Sequence, residues 1–518
     1  MIVNDLLRRG VKLYPDRGVM RYQDKDMSYR ELNLRVNRLA GSMLKMGIRQ
    51  GDRIAILAAN SNAYLEVCLA CGKIGVVFIP LNARLKGDEL KYIIKHGKAK
   101  ALFTIPPFVE LVASMKGELP IVEHFICIGQ PAEGYGDYEA LLSESTEMEP
   151  DVQVTESDVF CQMYTSGTTG LPKGAMLTHR NLLSVATACC LEHDIKAGDK
   201  YLMVMPLFHV GGLVPALSAL IVGAKLFVYP TFDPQEVLRA ISENKITHAA
   251  LVAAMILFVL SVPDAGSHDF SKLKYIVYGG SPISPDLLKQ AMTVFKCDFI
   301  QGYGLTEAAS FATLLRPEDH VLDGTPEQLK RLTSAGKEML GIEVKVVDEQ
   351  GEEVKAGDLG EIIIKGENNM LGYWEQPEET TEALRNGWFY SGDMGTVDDE
   401  GYIFILERKK DMIISGGENI YSREIEDVLA SHPAVAEGSI IGVPDEVWGE
   451  SVKAVIVVKE GESVTEQEII DFCASKLAGY KKPKSVDILT ELPRTPAGKV
   501  LKRLLRDPYW EGHDRGVH

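Results

Sequence analysis

Apolar residues recur along the first two thirds of the chain at two spacings, one helical and one typical of buried strands. Residues 28–48 carry apolar side chains at helical spacing and end near Gly47, which predicts an amphipathic helix. A second, more apolar helix is predicted for residues 64–73. Buried strands are predicted for residues 52–57, 76–80, 200–205, 225–229 and 275–278. Apolar strands that alternate with helices predict a largely parallel α/β sheet covered by helices.

The pattern changes after about residue 334. Short strands are predicted for residues 341–347, 360–365 and 401–406, and Gly351, Gly357 and Gly401 mark the turns between them. This pattern indicates a β-rich subdomain. Four charged residues interrupt it at 408–411, and beyond them a helix, strands and another helix are predicted to form a compact unit that ends near residue 509.

The longest apolar run covers residues 249–262 and is too short for a membrane-spanning helix, so we expect a buried core helix there. Charged residues at positions 5, 8, 9 and 12 interrupt any apolar signal core at the N-terminus. The sequence therefore predicts no membrane span, while peripheral membrane contact stays open.

Composition and charge narrow the class of protein. The 518 residues are 46% hydrophobic and 25% charged, with a formal net charge of −18. That composition is typical of globular proteins of more than one domain, and the acidic excess argues against binding nucleic acid or anionic membranes. Cys68 and Cys71 form the only C-x-x-C, without a second ligand pair for zinc, and we expect both on a buried helix. The scattered cysteines favour a reducing, cytoplasmic location.

The most informative segment is 164–174, Tyr-Thr-Ser-Gly-Thr-Thr-Gly-Leu-Pro-Lys-Gly. Its glycines let backbone N–H groups approach a polyphosphate, its hydroxyls add hydrogen bonds, and Lys173 adds positive charge. The order of residues fits neither a Walker loop nor a Rossmann glycine pattern. We interpret it as a phosphate-binding loop that follows a strand, against the alternative of a flexible polar surface loop.

Residues 165–174 resemble the phosphate loop of the adenylate-forming superfamily, which includes acyl-CoA synthetases, luciferases and the adenylation domains of peptide synthetases. Further segments that resemble this superfamily, in its order, are 279–282, 301–307, 390–393, 407–411, 415–419 and 493–499. The resemblance covers essentially the whole chain. It implies a large N-terminal adenylation domain (1–409) of doubly wound α/β sheets plus a β-rich subdomain, and a small mobile α+β C-terminal domain (410–518) with its hinge at Lys410.

The segment 301–307 combines an aromatic ring, glycines, a hydroxyl and a carboxylate. Tyr303 is able to stack on adenine, Thr306 to hydrogen-bond a phosphate, and Glu307 to offer a hard oxygen ligand to the Mg²⁺ carried by ATP. The resemblance implies these functions. The ATP and AMP contacts that it implies are Thr165, Ser166, Gly167, Thr168, Thr169, Gly170, Lys173, Gly280, Ser281, Pro282, Gln301, Gly302, Tyr303, Gly304, Thr306, Asp393 and Arg408.

Three residues in the last third of the chain receive functions from the resemblance. Asp393, in a predicted turn, and Arg408 are implied to contact the ribose. Lys499 is implied to bridge the carboxylate substrate and the α-phosphate during adenylation. A cation between two anions relieves their repulsion, and one such attraction is worth about 4 kcal/mol at about 4 Å and an effective dielectric constant near 20. By the resemblance, Lys499, Thr306, Glu307 and His209 are the catalytic residues.

The resemblance also implies two further binding regions. The small domain turns after adenylation, so that Ser415, Gly416 and Gly417 move in to line the tunnel for the pantetheine arm of coenzyme A. His209, predicted at a strand-to-helix junction, lies beside the acyl carboxylate. The predicted acyl pocket consists of His209, Val210, Val214, Val252, Met255, Tyr278, Gly279 and Gly280.

The sequence thus predicts an acid–thiol ligase that uses ATP, Mg²⁺ and coenzyme A. A carboxylate first attacks the α-phosphate and releases pyrophosphate, and the CoA thiol then attacks the acyl-adenylate and releases AMP. The mainly apolar pocket favours a medium- or long-chain fatty acid, with an aromatic or alicyclic acid as the alternative. Two other functions stay open: an acyl-AMP ligase that serves a carrier protein, and a catalytically inactive protein that binds a nucleotide or an acyl group. The sequence also leaves open whether the chain forms a homodimer.

Overall fold

The computed structural model describes residues 1–165, 171–280, 283–415, 418–445, 447–494 and 500–511. The predicted site residues outside these ranges are Ser166, Gly167, Thr168, Thr169, Gly170, Ser281, Pro282, Gly416, Gly417 and Lys499. Backbone contacts divide the chain into two compact units. Unit 1 contains Met1–Val344 and Ile364–Tyr390, and unit 2 contains Lys345–Ile363 and Ser391–His518.

The described residues form a mixed α/β structure. The strands are β1 (Gly18–Tyr22), β2 (Lys25–Ser28), β3 (Arg53–Leu57), β4 (Val77–Pro80), β5 (Ala99–Thr104), β6 (His124–Cys127), β7 (Gly136–Asp137), β8 (Val159–Thr165), β9 (Lys173–Thr178), β10 (Lys200–Met203), β11 (Lys225–Val228), β12 (His248–Leu251), β13 (Tyr275–Gly279), β14 (Asp298–Tyr303), β15 (Thr313–Leu315), β16 (Lys337–Glu338), β17 (Ile342–Val347), β18 (Gly360–Gly366), β19 (Gly372–Tyr373), β20 (Leu384–Arg385), β21 (Trp388–Val397), β22 (Ile403–Arg408), β23 (Ile413–Ser415), β24 (Glu418–Ile420), β25 (Val435–Asp445), β26 (Gly449–Val458) and β27 (Ser485–Leu489). The α-helices are α1 (Val3–Leu13), α2 (Tyr29–Lys45), α3 (Asn62–Lys73), α4 (Gly87–His96), α5 (Val109–Lys116), α6 (Tyr138–Ser143), α7 (His179–Glu192), α8 (Val210–Val222), α9 (Pro234–Asn244), α10 (Ala253–Leu260), α11 (Pro285–Phe295), α12 (Pro326–Arg331), α13 (Pro377–Ala383), α14 (Ser422–Ala430), α15 (Glu466–Lys476) and α16 (Lys502–Trp510).

Unit 1 contains two large sheets with parallel centres. The first has the strand order β16-β15-β14-β13-β12-β10-β11-β1-β2, and the second has the order β19-β9-β8-β4-β3-β5-β6-β7. In the first sheet the neighbouring strands from β14 to β11 run parallel. The largely parallel α/β sheet predicted from the alternating pattern, and the α/β class that the resemblance implies, are confirmed.

Most of the predicted elements are confirmed within a few residues at each end. The helix predicted for 28–48 is α2, and it begins after Ser28, whose side-chain oxygen accepts a hydrogen bond from the backbone N–H of Glu31. The helix predicted for 64–73 is α3, on which Cys68 and Cys71 are both fully buried, as expected. The predicted strands at 52–57, 76–80, 200–205, 225–229 and 275–278 are β3, β4, β10, β11 and β13.

The prediction of one buried helix over residues 249–262 is wrong in two respects. The run begins within strand β12, which pairs with β10 and β13, and only then enters helix α10. On that helix Leu257 is 48% exposed and Phe258 is 55% exposed, so part of the apolar run faces solvent. A continuous apolar run does not distinguish a central strand from a helix. Among the described residues, no helix is both long enough and apolar enough to span a bilayer.

The chain is β-rich after about residue 334, as the change of pattern predicts. A five-stranded sheet has the order β17-β18-β21-β20, with β22 on β21, and three of its strands contribute residues to both units. Unit 2 also contains a sheet of β24-β23-β26-β25 with β27 on β26. Ile440, Ala454 and Ile456 of this sheet pack with Ile425 and Leu429 of α14 in one core. The domain boundary at 409/410 stays a prediction.

Candidate functional site

The carboxyl ends of four neighbouring parallel strands, in the order β14-β13-β12-β10, meet at one edge of the first sheet. Tyr303 ends β14 and Gly279 ends β13, while Val252 directly follows β12 and His209 lies in the segment after β10. Ligands of open α/β sheets bind in the crevice outside the carboxyl ends of the strands. Predicted nucleotide and acyl residues therefore share one edge, although 94 sequence positions separate His209 from Tyr303.

Glycines permit a close approach of the backbones at the ends of β13 and β14. A Cβ atom on Gly279 would lie 2.3 Å from the carbonyl oxygen of Gly302, with which it is paired in register. Gly280 has a φ of +74°, which L side chains rarely adopt. These positions require glycine for local reasons, and they also leave backbone surface open to a flat ligand.

The segment after β14 turns tightly. A Cβ atom on Gly304 would lie 1.8 Å from the carbonyl oxygen of Ser310. Residues Thr306–Ala308 form one turn of 3₁₀-helix, and Ser310 follows with a φ of +109°. A non-glycine residue in that region is strained, and such strain concentrates at functional sites. The turn places Thr306 and Glu307 directly after the predicted adenine contact Tyr303.

Glu307 is buried, with 8% of its surface exposed. Its Oε1 atom accepts one hydrogen bond from the hydroxyl of Thr165 at 3.1 Å and another from the hydroxyl of Tyr373 at 3.0 Å. Its backbone carbonyl accepts a hydrogen bond from the N–H of Met370 at 2.7 Å. Within the described ranges, no hydrogen bond to Oε2 and no ion pair of this carboxylate is present.

A buried carboxylate without a cation is costly, so its environment fits a metal ion. Oxygen ligands of this kind suit Mg²⁺, which usually binds through one or two carboxylates and the phosphates of a substrate. The Oε2 atom of Glu307, which has no hydrogen bond among the described residues, is the atom that would hold the ion of MgATP. When bound, that ion would neutralise phosphate charge.

Thr165 and Lys173 are paired at the two ends of the predicted phosphate loop, Thr165 on β8 and Lys173 on β9. The prediction that this segment follows a strand is confirmed, because β8 ends at Thr165, whereas residues 166–170 lie outside the described residues. The expectation that Lys173 lies in the loop is wrong, because it begins β9. The Nζ atom of Lys173 lies 5.2 Å from the ring centroid of Tyr373. The predicted phosphate lysine and the predicted metal carboxylate thus contact the same tyrosine.

His209 lies at the strand-to-helix junction that the sequence predicts, as the residue before the first turn of α8. Its Nε2 atom is buried and has no hydrogen-bond partner among the described residues. Burial lowers the pKa of His209 to about 4, and the nearby cation of Arg84 acts in the same direction. An unpartnered polar atom in a buried setting is unusual in proteins and is consistent with a site that a ligand completes.

Of the predicted acyl residues, Val210, Val214, Met255 and Tyr278 are buried, but they do not all belong to one core. Met255 and Tyr278 belong to one hydrophobic core, against which Val252 packs, and a Cβ atom on Gly280 would lie 4.0 Å from Val252. Val210 and Val214 are buried on α8. The hydroxyl of Tyr278 lies 3.1 Å from Nε2 of His320 and 3.4 Å from Oε1 of Gln301. The hydroxyl of Tyr278 thus lies within reach of a predicted nucleotide contact.

Unit 2 contains the predicted ribose residues, and they form an ion pair. Asp393 is 5% exposed, and its Oδ1 atom lies 2.6 Å from Nε of Arg408 across the paired strands β21 and β22. The expectation of a turn at Asp393 is therefore wrong. Ser391-Gly392 precedes it, but the strand continues through Gly392, whose φ is +68°. Both residues are held in place, with a carboxylate that is already charge-paired.

The predicted hinge and CoA residues are described only in part. Lys410 lies in a short 3₁₀-helix, Lys409–Asp411, directly after β22. Ser415 ends β23, opposite Gly449 of β26. Lys499, the predicted catalytic cation, lies outside the described residues.

Tyr373, Arg84 and His320 contact or influence predicted site residues, and the sequence reasoning missed all three. Tyr373 lies in a Gly-Tyr-Trp segment whose two adjacent aromatic residues were a usable signal. Arg84 and His320 carry no local signal, because their proximity to His209 and Tyr278 arises from the tertiary fold.

Comparison with known families gives two matches. Residues 7–374 match the family described as AMP-binding enzyme, and residues 424–499 match the AMP-binding enzyme C-terminal domain. Together these matches cover most of both units.

Individual relatives are similar over nearly their whole length. The feruloyl-CoA synthase of Amycolatopsis sp is 39% identical over 500 residues, 96% of this chain and 97% of that protein. The fatty acid–[acyl-carrier-protein] ligase ScoC of Streptomyces coeruleorubidus is 36% identical over 500 residues, 96% of this chain and 94% of that protein. The structure of the o-succinylbenzoate coenzyme A synthetase MenE from Bacillus subtilis, in complex with ATP and a magnesium ion, is similar with a TM-score of 0.85. It is 30% identical and covers 96% of this chain and 98% of its own.

The burial of His209 leads to a prediction about its charge. We expect its imidazole to stay neutral through pH 6 and to titrate with a midpoint near 4, because the buried cationic form loses hydration and meets Arg84. The unfolded chain takes up this proton near the ordinary value of 6.5, so acidification between these values favours unfolding. Histidine NMR signals, assigned with His209→Gln, provide the measurement. A midpoint at 6 or above would contradict the expectation.

Proposed function

This chain belongs to the AMP-binding enzymes of the adenylate-forming superfamily, and on that basis we propose that it joins an apolar monocarboxylic acid to coenzyme A. A medium- or long-chain fatty acid is the first candidate for this acid. The chain is an AMP-forming acid–thiol ligase. It uses ATP with Mg²⁺ and takes coenzyme A as a substrate.

The observation that carries the proposal is the arrangement around Glu307. A buried carboxylate, two hydroxyls and the ammonium group of Lys173 converge next to the carboxyl ends of parallel strands. A carboxylate that holds a metal ion and an ammonium group that faces phosphate oxygens are the groups that a polyphosphate requires. The arrangement supports MgATP as the ligand of this edge.

The charges of the reacting groups determine what the protein must do in the two half-reactions. Attack of a carboxylate on the α-phosphate joins two anions and releases pyrophosphate, and attack of the CoA thiol on the mixed anhydride then releases AMP. No covalent bond to the protein is needed, so this chain contributes positions and charges. Thr306 and Glu307 act at the phosphates and the metal, and Lys499 acts between the two anions. Asp393 and Arg408 hold the ribose, and the small domain turns about Lys410 between the steps.

The neutral imidazole of His209 and the apolar residues of α8 and α10 support an acyl chain without a second charge. A fatty acid is the first candidate on this ground. An aromatic acid is the second, because a relative at 39% identity is named feruloyl-CoA synthase. A carrier protein as the final acceptor is favoured by the relative named fatty acid–[acyl-carrier-protein] ligase. The cytoplasmic location and the homodimer stay predictions.

A panel of acids tests the substrate class. We expect pyrophosphate release with medium- and long-chain fatty acids and CoA-dependent AMP release. We expect little activity with dicarboxylic acids, because burying a second carboxylate in an apolar pocket is costly. Pyrophosphate release with and without CoA, and with an acyl carrier protein, is the measurement. A preference for feruloyl-type acids would replace the first candidate by the second. Nucleotide binding without any acid-dependent pyrophosphate release would contradict the proposal.

Lys499→Ala separates the two half-reactions. We expect it to slow adenylate formation by about a thousandfold, as the loss of about 4 kcal/mol of transition-state stabilisation implies, and to spare thioester formation from pre-made acyl-adenylate. Lys459→Ala, at an exposed lysine of unit 2, is the matched control and should leave both rates unchanged. An equal loss in both assays would remove Lys499 from the adenylation step.

A further inference from the structure

Tyr373 connects two groups that we assign to MgATP, although it is not among the site residues predicted from the sequence. Its hydroxyl donates a hydrogen bond to Oε1 of Glu307 at 3.0 Å. The face of its ring meets the ammonium group of Lys173, with 5.2 Å between Nζ and the ring centroid. A cation at this distance from an aromatic face is attracted by it. One half-buried side chain thus contacts both Glu307, the residue predicted to bind the metal ion, and Lys173, the residue predicted to bind phosphate.

The backbone of Tyr373 is fixed on several sides. Strand β19 pairs antiparallel with β9, so that Tyr373 lies opposite Ala175. Its N–H donates to the hydroxyl of Thr380 at 2.9 Å. The preceding residues contribute as well, because the N–H of Met370 donates to the carbonyl oxygen of Glu307. The same short segment therefore holds both the backbone and the carboxylate of Glu307.

The next residue, Trp374, secures the segment against the second sheet. The guanidinium carbon of Arg53 lies 3.5 Å from the centroid of the Trp374 ring, and the indole N–H donates to the carbonyl oxygen of His96 at 3.0 Å. The N–H of Trp374 donates to the carbonyl oxygen of Gly174, next to Lys173. A side chain held by packing and hydrogen bonds keeps a fixed direction, which a positioning residue requires.

We propose that Tyr373 is a positioning residue that orients the Glu307 carboxylate, with Oε1 held by two hydroxyls and Oε2 presented to the Mg²⁺ of MgATP, and that its ring steadies Lys173 toward the phosphates. The proposal rests on the assignment of Glu307 and Lys173 to MgATP. We do not place Tyr373 itself in contact with the metal ion or with phosphate. Its effect passes through the two residues that it contacts.

Tyr373→Phe isolates the hydroxyl, because it keeps the ring that faces Lys173. The measurement is calorimetric binding of an ATP analogue with a methylene bridge between the α- and β-phosphates, with and without Mg²⁺. We expect the gain in affinity that Mg²⁺ provides to fall about tenfold, the size of effect expected for one hydrogen bond to a charged group, with Mg²⁺-free binding unchanged. Tyr373→Leu also removes the ring, and its Mg²⁺-free binding should weaken too.

Tyr135→Phe is the matched control. Its hydroxyl is also half-buried and donates one hydrogen bond, to the carbonyl oxygen of Val109 at 3.2 Å, away from the predicted site residues. Wild-type Mg²⁺ dependence in Tyr373→Phe would overturn the proposal, and so would an equal loss of affinity with and without Mg²⁺. Failure of the proposed function is distinguishable, because the wild-type chain would then show no Mg²⁺-dependent analogue binding or no acid-dependent pyrophosphate release.

Discussion

The carboxylate of Glu307 receives hydrogen bonds from residues that lie 142 positions before it and 66 positions after it in the chain, Thr165 and Tyr373. Desolvation makes a buried carboxylate expensive unless hydrogen bonds and a cation compensate it. Among the described residues, hydrogen bonds to this carboxylate reach only its Oε1 atom. The constraint that organises this region is therefore electrostatic: two hydroxyls hold the Glu307 carboxylate at Oε1, and in our proposal Oε2 binds a cation that arrives with the substrate.

The fold satisfies this constraint by bringing the edges of two sheets together within unit 1. Strand β14 delivers Tyr303 and the strained turn to Glu307, and strand β8 delivers Thr165. The short strand β19 then adds Tyr373 to the edge of the second sheet. Strands and a pinned turn are stiffer supports than a free loop, so the donors stay aimed at the carboxylate without reorganisation when charge develops. His209, in the segment after β10 at the same sheet edge, has a pKa lowered by burial and by the nearby Arg84 cation, so its imidazole adds no positive charge there near neutral pH.

The pattern of apolar residues predicted the buried strands well, because burial on both faces of a strand leaves a continuous apolar run, as at β3, β4, β10, β11 and β13. It failed where one pattern fits two structures. The apolar run at 249–262 divides into β12 and α10, and Ser391-Gly392, typical of a turn, lies inside β21. Motif order identified Glu307 and Lys173 through the resemblance. It did not identify Tyr373, because that contact depends on the pairing of β19 with β9, and such long-range pairing leaves no local periodicity.

In our proposal Glu307 holds the metal ion of MgATP and is oriented by hydroxyls on its other oxygen. The most direct measurement is a crystal structure of the full chain with Mg²⁺ and a non-reactive ATP analogue. We expect the ion at about 2.0–2.1 Å from Oε2 of Glu307, the usual Mg²⁺–oxygen distance, with Thr165 and Tyr373 still bonded to Oε1. An ion bound to the phosphates with the Glu307 carboxylate more than about 4 Å away, beyond direct coordination, would contradict it.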